Sequence, residues 1–403
     1  MKKQNLNKPA LILLVLCICF FQKAYTQQNY PFIKKEKNVI HNAKVLDSFF
    51  NSLRNSKNKQ VNIVHIGDSH LQANHISHVL RTNFQTLFGN AGRGLVVPYQ
   101  VAGTNSPEDI KSSSQFVWAG KRNCKPLLPQ STGIGGITIE TKDSISAFML
   151  ELPEKYKFTH LDIFFENDEH SFDLKIEDTL NHQSISVKNF ITLKDKNISK
   201  INLSKPTNKI EFVSIKSLPI QNHMTILGIN TRNDNPGVIY HSIGVNGAEY
   251  FHYDTSEYFN VQTPFLSPDL LIISLGTNEA YRKDNDFNED IIKEEIQHFI
   301  DNLKKHNPGV PILITTPANA YVNKKYQNAR LKIIHDILVS YSDEQQLAYW
   351  DLQEVSGNAS NWKNYNLFSK DLIHYNIKGY QLQGNLLFNA LINSFNEYVS
   401  NNP

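Results

Sequence analysis

Apolar and polar positions divide the chain into three textures. In the first, Val45, Leu46, Phe49, Phe50 and Leu53 recur at helical spacing and predict a short helix. The run Val61-Asn62-Ile63-Val64-His65-Ile66 is rich in β-branched residues and predicts a buried strand. It stops at Gly67-Asp68-Ser69, and from Leu71 to about Phe88 helical spacing returns at Leu71, Ile76, Val79, Leu80, Phe84 and Leu87. A strand therefore turns through Gly67 and Asp68 into a helix, with Ser69 at the corner. Gly67 is expected to supply the backbone freedom of a tight turn. The glycine-rich Gly89–Gly94 then reads as an exit loop, since it lacks the Lys-Ser/Thr ending of a phosphate loop.

The second texture runs from 95 to 236. Helical periodicity vanishes, and short β-rich runs appear at Ile137–Thr141, Ile145–Leu150, His160–Phe165, Phe172–Ile176, Ser184–Val187, Lys200–Leu203, Lys209–Ile215 and Met224–Asn230. Turn residues separate them, which predicts an inserted all-β sandwich, jelly-roll-like. A structureless loop of that length would be anomalous. In the third texture, strands at Val238–Ile243, Leu270–Leu275, Pro311–Thr315 and Leu347–Leu352 alternate with helices at Ile291–Leu303, Ala329–Val339 and Ile377 to about Val399. That rhythm predicts a parallel sheet with helices on both faces, a three-layer α/β/α domain of flavodoxin-like kind. Ligands of such sheets lie at the carboxyl ends of the strands. Ser69, Gly247 and Asn278 all fall just past strand ends. The expected boundaries are 1–26, 27–94, 95–236 and 237–403.

Composition changes this picture in three ways. The net charge is +3 over 403 residues, so nothing in the balance points to nucleic acid. Lys2, Lys3 and Lys8 precede an apolar run from Ala10 to Phe21, and Ala24-Tyr25-Thr26 offers a signal-peptidase site. Residues 1–26 therefore read as an export signal, with an uncleaved anchor as the alternative. Leu16 before Cys17 argues against a lipoprotein cleavage site. The expected location is periplasmic or extracellular, with no stable membrane insertion after cleavage, because no second long apolar run exists. The mature chain keeps only Cys124, so no intramolecular disulfide can form.

Ser69 sits beside a helix N-terminus, where unpaired N–H groups favour negative charge. It reads either as a nucleophile whose reaction builds an oxyanion or as part of a helix cap. Asp371-Leu372-Ile373-His374 places a carboxylate three residues before an imidazole, within reach of one ring nitrogen. The same spacing also suits a helix start. Asn278 reads as an amide donor or as a turn-forming residue. His70, His75 and His78 do not share one helical face, and nothing completes a zinc set, so no metal site is expected. Tyr99, Phe116 and Trp118 read as core or as sugar-stacking rings.

Together, Gly67-Asp68-Ser69, Gly244-Val245-Asn246-Gly247, Gly276-Thr277-Asn278-Glu279 and Asp371-Leu372-Ile373-His374 resemble the SGNH (GDSL-type) hydrolases. The blocks stand in that family's order within the strand–helix alternation. The resemblance covers about 55–95 and 237–398 and leaves the insertion aside. It implies Ser69 as nucleophile, His374 as general base and Asp371 as its orienting partner. It implies an oxyanion hole from the N–H groups of Ser69 and Gly247 and the Asn278 amide. Asp68 and Glu279 are assigned to structure.

His70 replaces the apolar residue that usually follows the serine. Gly-Asp-Ser-His, an insertion and export together resemble the branch with peptidoglycan O-acetylesterases. The implied activity is a secreted serine esterase acting on O-acetylated glycan, peptidoglycan or another polysaccharide, with no cofactor. His70 is a candidate substrate contact or a partner of a backbone group. An exported lipase or thioesterase, a glycan-binding protein and an O-acetyltransferase remain open on the same scaffold.

Overall fold

The computed structural model describes residues 30–125, 131–187, 191–193 and 197–403. The expected export signal, 1–26, lies outside the described residues.

Six strands form the central sheet: β1 (Ile40–His41), β2 (Gln60–Gly67), β3 (Gly237–Gly244), β4 (Leu270–Ser274), β5 (Ile312–Thr315) and β6 (Ala348–Trp350), in the order β1-β6-β5-β4-β2-β3. Strands β2 to β6 run parallel. The expected all-parallel sheet is corrected at one edge, where β1 pairs antiparallel with β6 through Ile40 and Trp350. Two residues carry no periodic signal, which is why the sequence pattern does not show this strand. Along β2, Val61 and Ile63 bury one face and Val64 and Ile66 the other. This alternation is the period-two geometry of a strand covered on both sides.

The covering helices are α1 (Asp47–Arg54), α2 (Ser69–Gln72), α3 (His75–Phe88), α4 (Glu289–His306), α5 (Arg330–Glu344) and α6 (Ile377–Asn401). Phe49 and Phe50 of α1, Leu80 and Phe84 of α3, and Leu386 and Leu387 of α6 pack with Val61 and Ile63. Ile296 and Phe299 of α4 and Ile334 and Leu338 of α5 pack on the opposite face with Val64 and Ile66. The single helix expected from Leu71 to Phe88 is broken in two. Asn74 adopts a left-handed backbone, φ 63°, between α2 and α3. Asparagine tolerates that region, and its Oδ1 accepts from Ser77 Oγ at 2.9 Å. Apolar spacing continues across the break, so periodicity alone hides it.

The chain between α3 and β3 forms two antiparallel sheets. One orders Gln183–Ser186, Asp173–Asp178, Lys209–Ile215, Ile145–Glu151 and Lys111–Ser113. The other orders Ile191–Leu193, Ile198–Thr207, Phe158–Phe165, Met224–Arg232, Ile137–Thr141 and Ala119–Arg122, with Gly94–Val96 also paired to Met224–Arg232. Phe148 and Phe212 of the first sheet stack at 4.7 Å and share one core with Ile139, Ile163 and Ile226 of the second. Trp118 is buried edge-on against Phe148 and Tyr99 is buried as well, so both belong to the core, whereas Phe116 is exposed. The core of this insertion is continuous with the α4/α5 face of the central sheet. Arg93 holds Asp109 at 2.6 and 3.0 Å, and Arg81 of α3 lies 3.7 Å from the same carboxylate, which ties the insertion to the helical layer.

Parallel pairing sets Gly67 of β2 beside Gly244 of β3 and Ser274 of β4. Three strands thus end at one edge of the sheet.

Candidate active site

Strand β2 ends at Gly67, and Asp68 caps α2 by accepting from the His70 N–H at 2.9 Å. Ser69 is the first residue of α2, so its N–H has no intrahelical acceptor. Gly67 is needed for a reason other than turn freedom. A Cβ there would stand 2.9 Å from the Ser274 carbonyl oxygen and 3.0 Å from Leu71 Cβ. The glycine lets β4 and α2 approach the corner that carries Ser69. Burial pushes the Asp68 carboxyl up to about 6 against the bond from His70 N–H and the nearby His374 and Thr277.

The loop before α6 brings the second half of the site. Phe368 and Tyr375 pair across its base, and Leu372 takes φ 59° at its tip. Asp371 Oδ1 accepts from Ser369 Oγ at 2.8 Å and from the N–H groups of Ile373 and His374, each at 2.9 Å. Its other oxygen, Oδ2, lies 2.7 Å from His374 Nδ1. On the far side of the ring, His374 Nε2 lies 2.8 Å from Ser69 Oγ. Partial burial acts to raise the Asp371 carboxyl, but the His374 ring and the donors from His374, Ile373 and Ser369 outweigh it and hold the group well below the usual range. A hydroxyl on one ring nitrogen and an ionised carboxylate on the other form a path along which the hydroxyl proton can pass to the ring.

Gly247 follows β3 with φ 86° and is exposed. Among the described residues no protein group accepts from its N–H. Asn278 follows β4, and its Nδ2 donates to the Ala248 carbonyl at 2.8 Å and makes a long 3.4 Å contact with Asp68. Glu279 is buried and accepts from the Tyr250 N–H at 3.0 Å. Burial, with Glu249 nearby, pushes its carboxyl up to about 8.

Ser69, Gly247, Asn278 and His374 open onto one cleft of about 770 Å³. Its walls include Asn105 from the insertion, Asn246 before Gly247, His75 of α3, and Tyr281, Ile373 and Ile377. Sequence reasoning missed these wall residues. Asn246 stands within Gly244-Val245-Asn246-Gly247, but Asn105 has no local signal, because its place depends on how the insertion folds back. His70, read as a candidate substrate contact, does not line this cleft. It is buried behind His374, ring centres 5.1 Å apart, with Nδ1 3.1 Å from the Tyr380 hydroxyl in place of a backbone group. Burial, reinforced by His374, pushes it down to about 3, so it is neutral at ordinary pH. Among the described residues no three His, Cys, Asp or Glu side chains gather as a metal site would need.

Residues 228–382 match the model of the GDSL-like lipase/acylhydrolase family. The chain carries a GDSL-like acylhydrolase domain. It is a carboxylic-ester hydrolase of that type. The matched span of this acylhydrolase includes Gly247, Asn278, Asp371 and His374 but not Ser69, which reaches the same edge because β2 lies between β3 and β4.

A solved structure of a peptidoglycan O-acetylesterase superposes on this acylhydrolase with a TM-score of 0.72 at 19% identity, over 87% of this chain and 96% of that one. At that identity the likeness establishes the fold, an SGNH-type α/β domain together with its antiparallel insertion. A GDSL-like lipase from Bacteroides thetaiotaomicron aligns at TM-score 0.32 and 19% identity, covering 39% of this chain and 76% of that one. An acetyl xylan esterase aligns at 0.31 and 20%, covering 38% and 80%. No curated protein matches the sequence.

Proposed function

We propose that this acylhydrolase is an exported serine esterase that removes O-acetyl groups from a polysaccharide, with peptidoglycan as its first substrate. The observation that carries the mechanism is the 2.8 Å contact of Ser69 Oγ with His374 Nε2, backed by Asp371 at 2.7 Å. In this reading Ser69 attacks the acetyl carbonyl and its proton passes to His374. Asp371 holds the ring tautomer and balances the imidazolium. The oxyanion is met by the N–H groups of Ser69 and Gly247 and by the Asn278 amide hydrogen now in long contact with Asp68. Such donors contribute a few kcal/mol each, about 10²–10³ in rate. His374 then protonates the departing sugar oxygen, which leaves as the free hydroxyl, and a water activated by the same ring releases acetate.

The substrate reading draws on two supports. One is the polar wall that the insertion and the Gly247 loop lend to the cleft, through Asn105 and Asn246. The other is the likeness, across 87% of the chain, to a protein described as a peptidoglycan O-acetylesterase. The export reading rests on the charged-then-apolar pattern of residues 1–26. Among the described residues no helix is long and apolar enough to cross a membrane. A second reading, an esterase for longer acyl chains, is favoured by one observation: Ile377 at the cleft is 50% exposed.

The test compares acetate release from O-acetylated peptidoglycan, acetylated xylan and a long-chain ester, by the mature protein and by Ser69→Ala. Release from peptidoglycan that Ser69→Ala abolishes is expected. Equal turnover by the two proteins sinks the serine mechanism, and preference for the long-chain ester moves the substrate to the second reading. Acetate appearing on an acceptor sugar instead of in solution would mean transfer. N-terminal sequencing of the protein recovered outside the cytoplasm checks cleavage near Thr26.

A further inference from the structure

The peptide that joins Asn246 to Gly247 and the peptide before it are each gripped by a side chain. The Asn246 carbonyl accepts from Cys124 Sγ at 3.1 Å. One peptide unit earlier, the Asn246 N–H donates to Gln72 Oε1 at 2.7 Å. In a trans peptide the C=O and N–H point in opposite directions. Anchoring the carbonyl on Cys124 therefore fixes the direction of the Gly247 N–H. Burial pushes the Cys124 thiol up, so it stays protonated and able to donate, though thiols are weak donors.

Gln72 is 2% exposed and stands three residues after Ser69 on α2. Its Nε2 donates to Thr104 Oγ1 at 3.0 Å and to the main-chain and side-chain oxygens of Asn105 at 3.0 and 2.9 Å. Asn105 Oδ1 also accepts from Asn246 Nδ2 at 2.6 Å. Thr104, Asn105 and Cys124 all belong to the insertion. One buried amide thus joins three parts of the chain: the helix of Ser69, the loop of Gly247 and the inserted β-rich unit.

We propose that Gln72 and Cys124 are positioning residues that aim the Gly247 N–H at the developing oxyanion, so that the insertion governs catalysis as well as lining the cleft. This rests on the oxyanion role given to Gly247 above. Neither residue touches substrate: Cys124 acts through the Asn246–Gly247 peptide, and Gln72 acts through the Val245–Asn246 peptide that precedes it. A donor that is misdirected forfeits part of the roughly 10²–10³ in rate that such a donor supplies.

The experiment uses the full chain with Gln72→Met, Cys124→Ala and Cys124→Ser. An aryl acetate serves as substrate and a boronic acid, which becomes tetrahedral on adding Ser69 Oγ, as oxyanion probe, with active-site titration to count folded protein. Gln72→Met is expected to lower kcat roughly 10–100-fold with KM held within about threefold. Cys124→Ala is expected to lose about 3–10-fold, and Cys124→Ser, which keeps a donor, to recover to within about twofold. Boronate affinity should weaken in step with kcat, which a merely structural role would not produce. Unchanged kcat in folded Gln72→Met, or Cys124→Ser no better than Cys124→Ala, or intact boronate affinity overturns the proposal. If Gln72→Met fails to fold, the Cys124 pair decides by itself. Full activity in Ser69→Ala would instead remove the underlying reading.

Discussion

Replacing Asp371 by Asn separates what the carboxylate does for the loop from what it does for the ring. The amide keeps an oxygen for Ser369 Oγ and the N–H groups of Ile373 and His374, so the loop should survive. The other oxygen becomes an NH₂ group 2.7 Å from His374 Nδ1. Two hydrogens cannot share that gap. The ring must then carry its proton on Nε2, where it cannot accept one from Ser69. A charge-assisted hydrogen bond is worth about 1.5–3 kcal/mol. The lower half of that range applies here, because the two side chains are 36% and 45% exposed and water screens them. At about 1.36 kcal/mol per tenfold, the lost bond costs roughly 13–45-fold. The wrong tautomer adds to this, although less than the ~10⁴ seen where the carboxylate is buried. The expected loss in kcat/KM is therefore on the order of 10²-fold. Initial rates on an aryl acetate, with Ser69→Ala as the floor, measure it. A loss under about threefold, or one as deep as Ser69→Ala, refutes the reasoning from exposure and tautomer.

Two further outcomes concern stability. The folded Glu279 carboxyl is raised from 4.5 to about 8, so stability from it is fully present below about pH 4.5 and is lost as pH rises towards 8. Glu279→Gln keeps an oxygen for the Tyr250 N–H, so its Tm should match the wild type near pH 5 and exceed it increasingly towards pH 8; a pH-independent difference contradicts this. At Gly244 an added Cβ would lie 2.2 Å from the Gln72 nitrogen, a backbone atom of α2. Gly244→Ala should cost about 1–3 kcal/mol in urea unfolding and depress activity through displacement of Ser69, and wild-type behaviour in both would show that α2 shifts freely.

Much of the architecture could be read before the structure, and the failures share a cause. Leu270–Ile273 is continuously apolar because both faces of the sheet are covered, so β4 is visible in the chain. The insertion strands Lys111–Ser113 and Ala119–Arg122 are short sheet edges that bury no large apolar side chain, only Ser112, so no apolar alternation marks them and they escape notice. The site divides in the same way. The Asp371–His374 contact follows from a three-residue spacing, and the corner at Ser69 from an abrupt end to an apolar run. Gln72, Asn105 and Cys124 meet only because the insertion returns to the cleft, and no local pattern encodes a meeting across the fold. The sequence leaves His70 open between the cleft and the interior for a related reason: only the turn into α2 points it inward, against Tyr380.

Ser69 and His374 are separated by 305 positions along the chain. A polypeptide emerging from its N-terminus carries the hydroxyl long before the imidazole exists. The loop bearing the imidazole gains its place only when α6 seats against α3 and the sheet. If Ser69 and His374 act together as proposed, turnover is a readout of finished folding, and two fragments that divide Ser69 from His374 in an exposed connection would remain silent until they reassembled.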